Sequence, residues 1–140
     1  MDPRALPGVA VLLRELPPGA EQSAFAHAVL EEIRAGFEFT SVSHSGELIA
    51  VAAADGPVGI DVERAVPGRR WKEIALRTWS EAPASEREFY ERWTRHEALL
   101  KARGVGLFSA NCKLQTANWT ATALDTPPGY TGTLVTELVP

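Results

Sequence analysis

Ser43-His44-Ser45-Gly46-Glu47, the apolar run Leu48 to Ala54, the triplet Asp55-Gly56-Pro57 and then Val58-Gly59-Ile60-Asp61-Val62-Glu63 form the stretch on which the reading of this chain turns. Two β-compatible runs flank Asp55-Gly56-Pro57. Gly supplies the positive φ of a tight reversal and Pro fixes its own φ at the start of the next strand, so the pattern predicts a β-hairpin that reverses at 55–57. In the second run Val58, Ile60 and Val62 alternate with Gly59, Asp61 and Glu63. Alternation along a strand puts the apolar three on one face and both carboxylates on the other. Asp61 and Glu63 then lie about 6.6 Å apart along the strand, within joint reach of one cation directly or through water. An isolated D-x-E is more often a solvated strand face, so the pair acquires chemical meaning only if something else converges on it.

The convergent element is expected to be a helix near residues 85 to 103. Ser85 and Glu88 form an S-x-x-E capping box, no Pro or Gly interrupts residues 86–103, and Gly104 is placed to end the helix. Phe89, Trp93, Glu97 and Lys101 are four apart and share one stripe. Taken alone, Glu97 before Lys101 reads as a surface ion pair of about 0.3–0.5 kcal/mol.

Outward from these segments, 9–13 reads as an opening strand that ends at Leu16-Pro17-Pro18-Gly19. Residues 21–34 carry a helical stripe of Phe25, Ala28, Val29, Leu30 and Ile33 stopped by Gly36, and 37–42 alternates as a strand. After the turn Val66-Pro67-Gly68, a helix is expected over 69–79 with Trp71, Ile74, Ala75 and Thr78 inward, broken at Pro83. Strands are expected over 112–116, 119–124 and 130–138. Together these predict an α+β fold, helices packed on largely antiparallel sheet, in a single domain over 1–140.

The composition, 45% hydrophobic and 23% charged, is that of a soluble globular protein. A net charge of −4 gives no basic field for nucleic acid. One cysteine, Cys112, excludes an intrachain disulfide and a multi-cysteine zinc site, and a reducing cytoplasm is the expected compartment. Pro7, Arg14, Pro17 and Pro18 leave the first apolar run too short for a membrane span or a secretory core, so no membrane association is expected. His96-Glu97 opens a zinc-type H-E, but position 100 is Leu, not the second His of H-E-x-x-H. Ser41, Ser43 and Ser45 surround a His without a G-x-S-x-G elbow, which argues against a hydrolase triad.

In order along the chain, S-H-S, G-I-D-V-E and W-T-R-H-E-A-L-L-K resemble the S-H-S, G-[IV]-D-[IVL]-E and W-x-x-K-E-A-x-x-K motifs of the 4′-phosphopantetheinyl transferase superfamily, over roughly the last two thirds of the sequence. The resemblance implies a compact pseudo-dimer with a shortened first half; a homo-oligomer stays open, because a shortened half can expose surface that a partner covers. It implies Mg²⁺-dependent transfer of the phosphopantetheine arm of coenzyme A to a serine of an acyl or peptidyl carrier protein, in secondary metabolism for instance. By the same resemblance Asp61, Glu63 and Glu97 are the metal-site carboxylates, and Glu97 is also the candidate base. Lys101 would face the pyrophosphate, and Ser43, His44 and the residue at position 96 would contact coenzyme A.

Two departures from the family pattern stand out. His96 replaces the family Lys before the Glu, exchanging an ammonium for an imidazole mostly neutral at pH 7. The family's longer N-terminal half supplies nucleotide-gripping Arg, Lys and a G-K-P segment, whereas no G-K-P occurs here and between Gly19 and Ser43 the only Arg or Lys is Arg34. The alternative is therefore a transferase fold that has lost coenzyme A binding and serves another reaction in the same cleft or binds a carrier protein. Arg69, Arg70, Lys72 and Arg77 form a basic cluster that either attracts an acidic carrier protein or is simply solvated.

Overall fold

The run Leu48–Ala54 is buried at all seven positions and forms β3, the central strand of the first sheet. A strand without alternation needs cover on both faces. β1 (Val9–Glu15) and β2 (Phe39–Ser45) fill the two edges of β3, both antiparallel to it. The structure, a computed structural model, describes residues 8–104 and 118–137, so the strand expected over 112–116 and Cys112 lie outside the described residues.

The hairpin expected at 55–57 is overturned. β3 and β4 (Val58–Arg64) belong to different sheets, because β1 and β2 already occupy both edges of β3. The 55–57 segment carries the chain from one sheet to the other: Asp55 N–H bonds Gly8 O at 3.0 Å and Pro57 O accepts from Glu137 N–H at 3.4 Å. The true hairpin lies earlier, between β2 and β3, where Ser45 pairs with Leu48 around Gly46-Glu47. Gly46 has φ 57°, the left-handed setting required at the first central position of such a turn.

The second sheet has the order β4-β6-β5, with β5 (Trp119–Ala123) and β6 (Tyr130–Glu137) antiparallel neighbours. Each half therefore runs strand, helical connection, antiparallel pair, with its third strand central, which is the pseudo-dimeric plan. Among the described residues the first half has one helix, α1 (Gln22–Glu31), whereas the second has two, α2 (Trp71–Trp79) and α3 (Glu86–Arg103).

Four layers result. Val11, Leu48, Ala50, Ala52 and Ala54 of the first sheet meet Val58, Ile60, Val62 and Leu134 of the second in a central apolar layer. Ala26, Val29 and Leu30 of α1 cover Ile49 and Val51 on the outer face of the first sheet. Ala98, Leu99 and Ala102 of α3 cover Val135 on the outer face of the second. Trp71, Ala75, Phe89 and Tyr90, joined by Trp79 and Trp93, tie α2 to α3. Thr78, expected inward on α2, is exposed in the last turn of the nine-residue helix and donates its hydroxyl to Ile74 O at 2.8 Å.

Helix ends follow their signals. Ser85 caps α3 by accepting from Glu88 N–H at 3.2 Å, while Glu88 accepts from Ala84 N–H at 3.1 Å, and Gly104 closes the helix with φ 68°. Glu21, expected as the first residue of its helix, is instead the N-cap of α1, accepting from Ser23 and Ala24 N–H.

Candidate functional site

Strand β4 carries the predicted alternation into three dimensions. Val58, Ile60 and Val62 enter the central apolar layer, and Gly59, Asp61 and Glu63 turn towards α3. That face is covered rather than solvated. A Cβ at Gly59 would lie 1.8 Å from Ala98 O and 2.7 Å from Ala102 N, so the helix backbone rests directly on the strand. Glycine at 59 and alanine at 98 and 102 thus bring the C-terminal half of α3, with Glu97 and Lys101, over the carboxylates.

Asp61 is buried, 6% exposed. Its Oδ1 accepts from Lys101 Nζ at 3.2 Å and from Ser43 Oγ at 3.3 Å, whereas Oδ2 has no partner. Burial pushes its pKa up to about 7, further than the Lys101 ammonium pulls it down, and the charges of Glu63 and Glu97 add to the rise. Glu97, half-buried, is also held above the usual carboxylate range, by burial first and by Glu63 in addition, against Lys101. These couplings place Asp61, Glu63, Glu97 and Lys101 in one electrostatic neighbourhood. Glu63 accepts from Ser45 Oγ at 3.4 Å and pairs with Arg69 at 3.4 Å.

Lys101 is expected towards a pyrophosphate; in this structure its three donors go to Asp61 Oδ1, Ile60 O at 2.9 Å and Val42 O at 3.2 Å. Since an ammonium has three donors, all are engaged. His96 lies against Trp79 and Trp93, with ring centroids 6.1 and 6.4 Å away. Burial, then the Arg92 charge, lowers its pKa. One residue off the stripe of Glu97, it turns towards the α2–α3 aromatic cluster. His44 is exposed on the face of β2 opposite Ser43.

The motif readings missed a row of hydroxyls. Ser41, Ser43 and Ser45 accept the backbone N–H groups of Ile60, Val62 and Arg64, each at 3.0 Å. The constant offset means that β2 and β4 run parallel, joined by side chains where a backbone ladder would otherwise lie. The visible signal was S-x-S-x-S, three hydroxyls on one strand face.

Among the described residues no three of His, Cys, Asp and Glu stand together as a ready-made metal cage. Mg²⁺ does not require one, since one or two carboxylates with substrate phosphates suffice. An all-oxygen donor set with a buried, unpartnered Asp61 Oδ2 fits that requirement.

Two three-stranded sheets with a buried carboxylate seam under α3 make up the described fold. The sequence profile of the 4′-phosphopantetheinyl transferase superfamily matches residues 57–128, just over half of the chain. The protein belongs to that superfamily. It is similar to the 4′-phosphopantetheinyl transferase AcpT of Salmonella typhi, 39% identical over 75 residues, which cover 46% of this chain and 39% of the relative. It is also similar to AcpT of Escherichia coli K12, 35% identical over 75 residues, 46% of this chain and 38% of the relative. The third is a 4′-phosphopantetheinyl transferase of Bacillus subtilis, 34% identical over 77 residues, 48% of this chain and 34% of the relative. The match thus spans little more than a third of the length of these relatives.

Proposed function

We propose that the protein transfers the 4′-phosphopantetheine arm of coenzyme A to a serine hydroxyl of a carrier protein. The observation that carries this reading is Asp61: a buried carboxylate with one oxygen held by Lys101 and Ser43 and the other buried without a partner, in the electrostatic neighbourhood of Glu63 and Glu97.

Asp61, Glu63 and Glu97 would hold Mg²⁺, which when bound neutralises charge on the pyrophosphate. Glu97, with its pKa raised by burial, takes the proton of the attacking serine. The serine oxygen bonds to the phosphorus that carries the pantetheine arm, the pyrophosphate P–O bond breaks, and adenosine 3′,5′-bisphosphate leaves with the electron pair. His44 is the proposed contact of the coenzyme A phosphates; Ser43, whose hydroxyl is engaged by Val62 N–H and Asp61, and His96, engaged with Trp79 and Trp93, are not carried into this step. Lys101 holds Asp61 in place and offsets its charge.

The carrier protein is proposed to dock on α2. Leu76 is 53% exposed, the exposed large apolar side chain among the described residues, and Lys72 and Arg77 flank it on the same helix, with Arg69 and Arg70 just before it. An acidic surface with an apolar contact fits this face.

One observation favours the second reading, a transferase fold that no longer binds coenzyme A. Arg34, the only cation between Gly19 and Ser43, is paired with Glu31 at 3.0 Å. Calorimetric titration of coenzyme A with and without Mg²⁺ separates the two. Metal-dependent binding in the micromolar range, followed by a phosphopantetheine mass shift on an acyl or peptidyl carrier protein, is the expected result. Absence of binding at millimolar coenzyme A would select the second reading. We further propose a cytoplasmic setting; among the described residues no helix is long and apolar enough to cross a membrane.

A further inference from the structure

Each of the three serines of β2 meets β4 in the same way, but only two of them do something more. Ser41 Oγ accepts from Ile60 N–H, Ser43 Oγ from Val62 N–H and Ser45 Oγ from Arg64 N–H. A hydroxyl has one proton to give as well as lone pairs to accept with. Ser43 gives its proton to Asp61 Oδ1 at 3.3 Å, and Ser45 gives its proton to Glu63 Oε2 at 3.4 Å. The carboxylates sit one residue before the amides that the same serines receive, so one register fixes both kinds of bond. β2 therefore presents donors at the spacing at which β4 presents carboxylates.

We infer that Ser43 and Ser45 are positioning residues for Asp61 and Glu63: each serine, anchored by a β4 amide, holds one oxygen of a carboxylate and so aims the other at the cation. Ser43 with Lys101 occupies Asp61 Oδ1 and leaves Oδ2, buried and unpartnered, as the oxygen presented to the metal. Ser45 with Arg69 occupies Glu63 Oε2 in the same manner. Ser41 is the internal control, because it makes the seam bond of the series and faces no carboxylate. The inference rests on the proposed metal role of Asp61 and Glu63.

The test compares Ser41→Ala, Ser43→Ala and Ser45→Ala. Each variant is titrated with Mn²⁺ alone, free ion being read by electron paramagnetic resonance, and a crystal structure of each is determined. Ser43→Ala and Ser45→Ala are expected to weaken Mn²⁺ binding about 10- to 100-fold, the range seen when groups that orient metal ligands are removed, whereas Ser41→Ala stays within about twofold. Ser45→Thr, which keeps the hydroxyl on a partly exposed residue, is expected to restore affinity. An equal loss in all three alanine variants would reduce the serines to seam bonds and overturn the inference. If Ser43→Ala does not fold, the Ser45 pair of variants decides. If the wild-type chain binds no Mn²⁺, the metal reading fails, and the crystal structures decide positioning separately. Asp61 and Glu63 turned from their wild-type rotamers only in Ser43→Ala and Ser45→Ala uphold it; unmoved carboxylates overturn it.

Discussion

Asp61 sets the chemistry of the seam because burial and ion pairing act on it in opposite directions. Folded, it holds its proton up to about pH 7, whereas an ordinary aspartate loses it near 3.8. The folded state then binds more protons across that interval, so this group's contribution to stability is present at low pH and is lost as pH rises through the folded value. Asp61→Asn removes the charge, and the melting temperature of the metal-free wild type is expected to fall relative to this variant between about pH 4 and pH 7, as read by circular dichroism. Parallel curves would mean that the carboxyl is solvated and ionised throughout. The same variant should abolish transfer. Lys101→Met is expected to cost about 1–3 kcal/mol at pH 8 and less at pH 5, where Asp61 is already neutral in the folded chain. An equal cost at both pH values would show that the two carbonyl bonds, to Val42 and Ile60, outweigh the ion pair.

At the scale of elements, the contact between α3 and β4 is set by the absence of side chains. Gly59 lies under Ala98 and Ala102 with no room for one more carbon, and the atoms in the way belong to the helix backbone. Gly59→Ala must lift α3 from the strand, with an expected loss of about 1–3 kcal/mol in urea unfolding and a larger loss of Mn²⁺ affinity, since Glu97 and Lys101 ride on the same turns. A stable variant with unchanged metal binding would show that the helix yields elsewhere. Ser85→Ala tests the other end of α3. Loss of the cap bond to Glu88 should cost about 1 kcal/mol and leave metal binding alone, because it frays the turn farthest from Glu97. The α3 boundaries were legible to the residue, since Ser85, Glu88 and Gly104 act through local hydrogen bonds and backbone preference. The partner of β3 was not. Asp55-Gly56-Pro57 suits a reversal locally, and nothing local distinguishes a hairpin from a crossing between sheets. The unalternating Leu48–Ala54 run signals cover on both faces of β3 and leaves open which strands fill its edges.

The whole molecule is two similar halves joined along β2 and β4 by three hydroxyls and one ammonium. A ligand seated at that seam binds both halves, so coenzyme A at a hundred times its Kd is expected to stabilise the fold by about 2.7 kcal/mol, and only with Mg²⁺ present. A shift in melting temperature independent of the metal would put the nucleotide elsewhere on the surface. The amides of Ile60 and Val62, received by serine hydroxyls at buried positions, should exchange only through global unfolding in hydrogen-exchange measurements. Faster exchange there than in β3 would mark the seam as a place where the halves part.

By itself the sequence determined α3 and its caps, the alternation of β4 and the shared stripe of Glu97 and Lys101, because each depends on residues within a few positions of one another. It also carried the motif order that marks the superfamily. Only the tertiary structure decided which strands pair, that the acidic face of β4 is buried beneath a helix, that Lys101 spans β2 and β4, and that His96 turns to Trp79 and Trp93. Those outcomes depend on which surfaces meet across the two sheets, and a serine at 43 or a glycine at 59 has its role assigned by an atom 19 or 39 residues away.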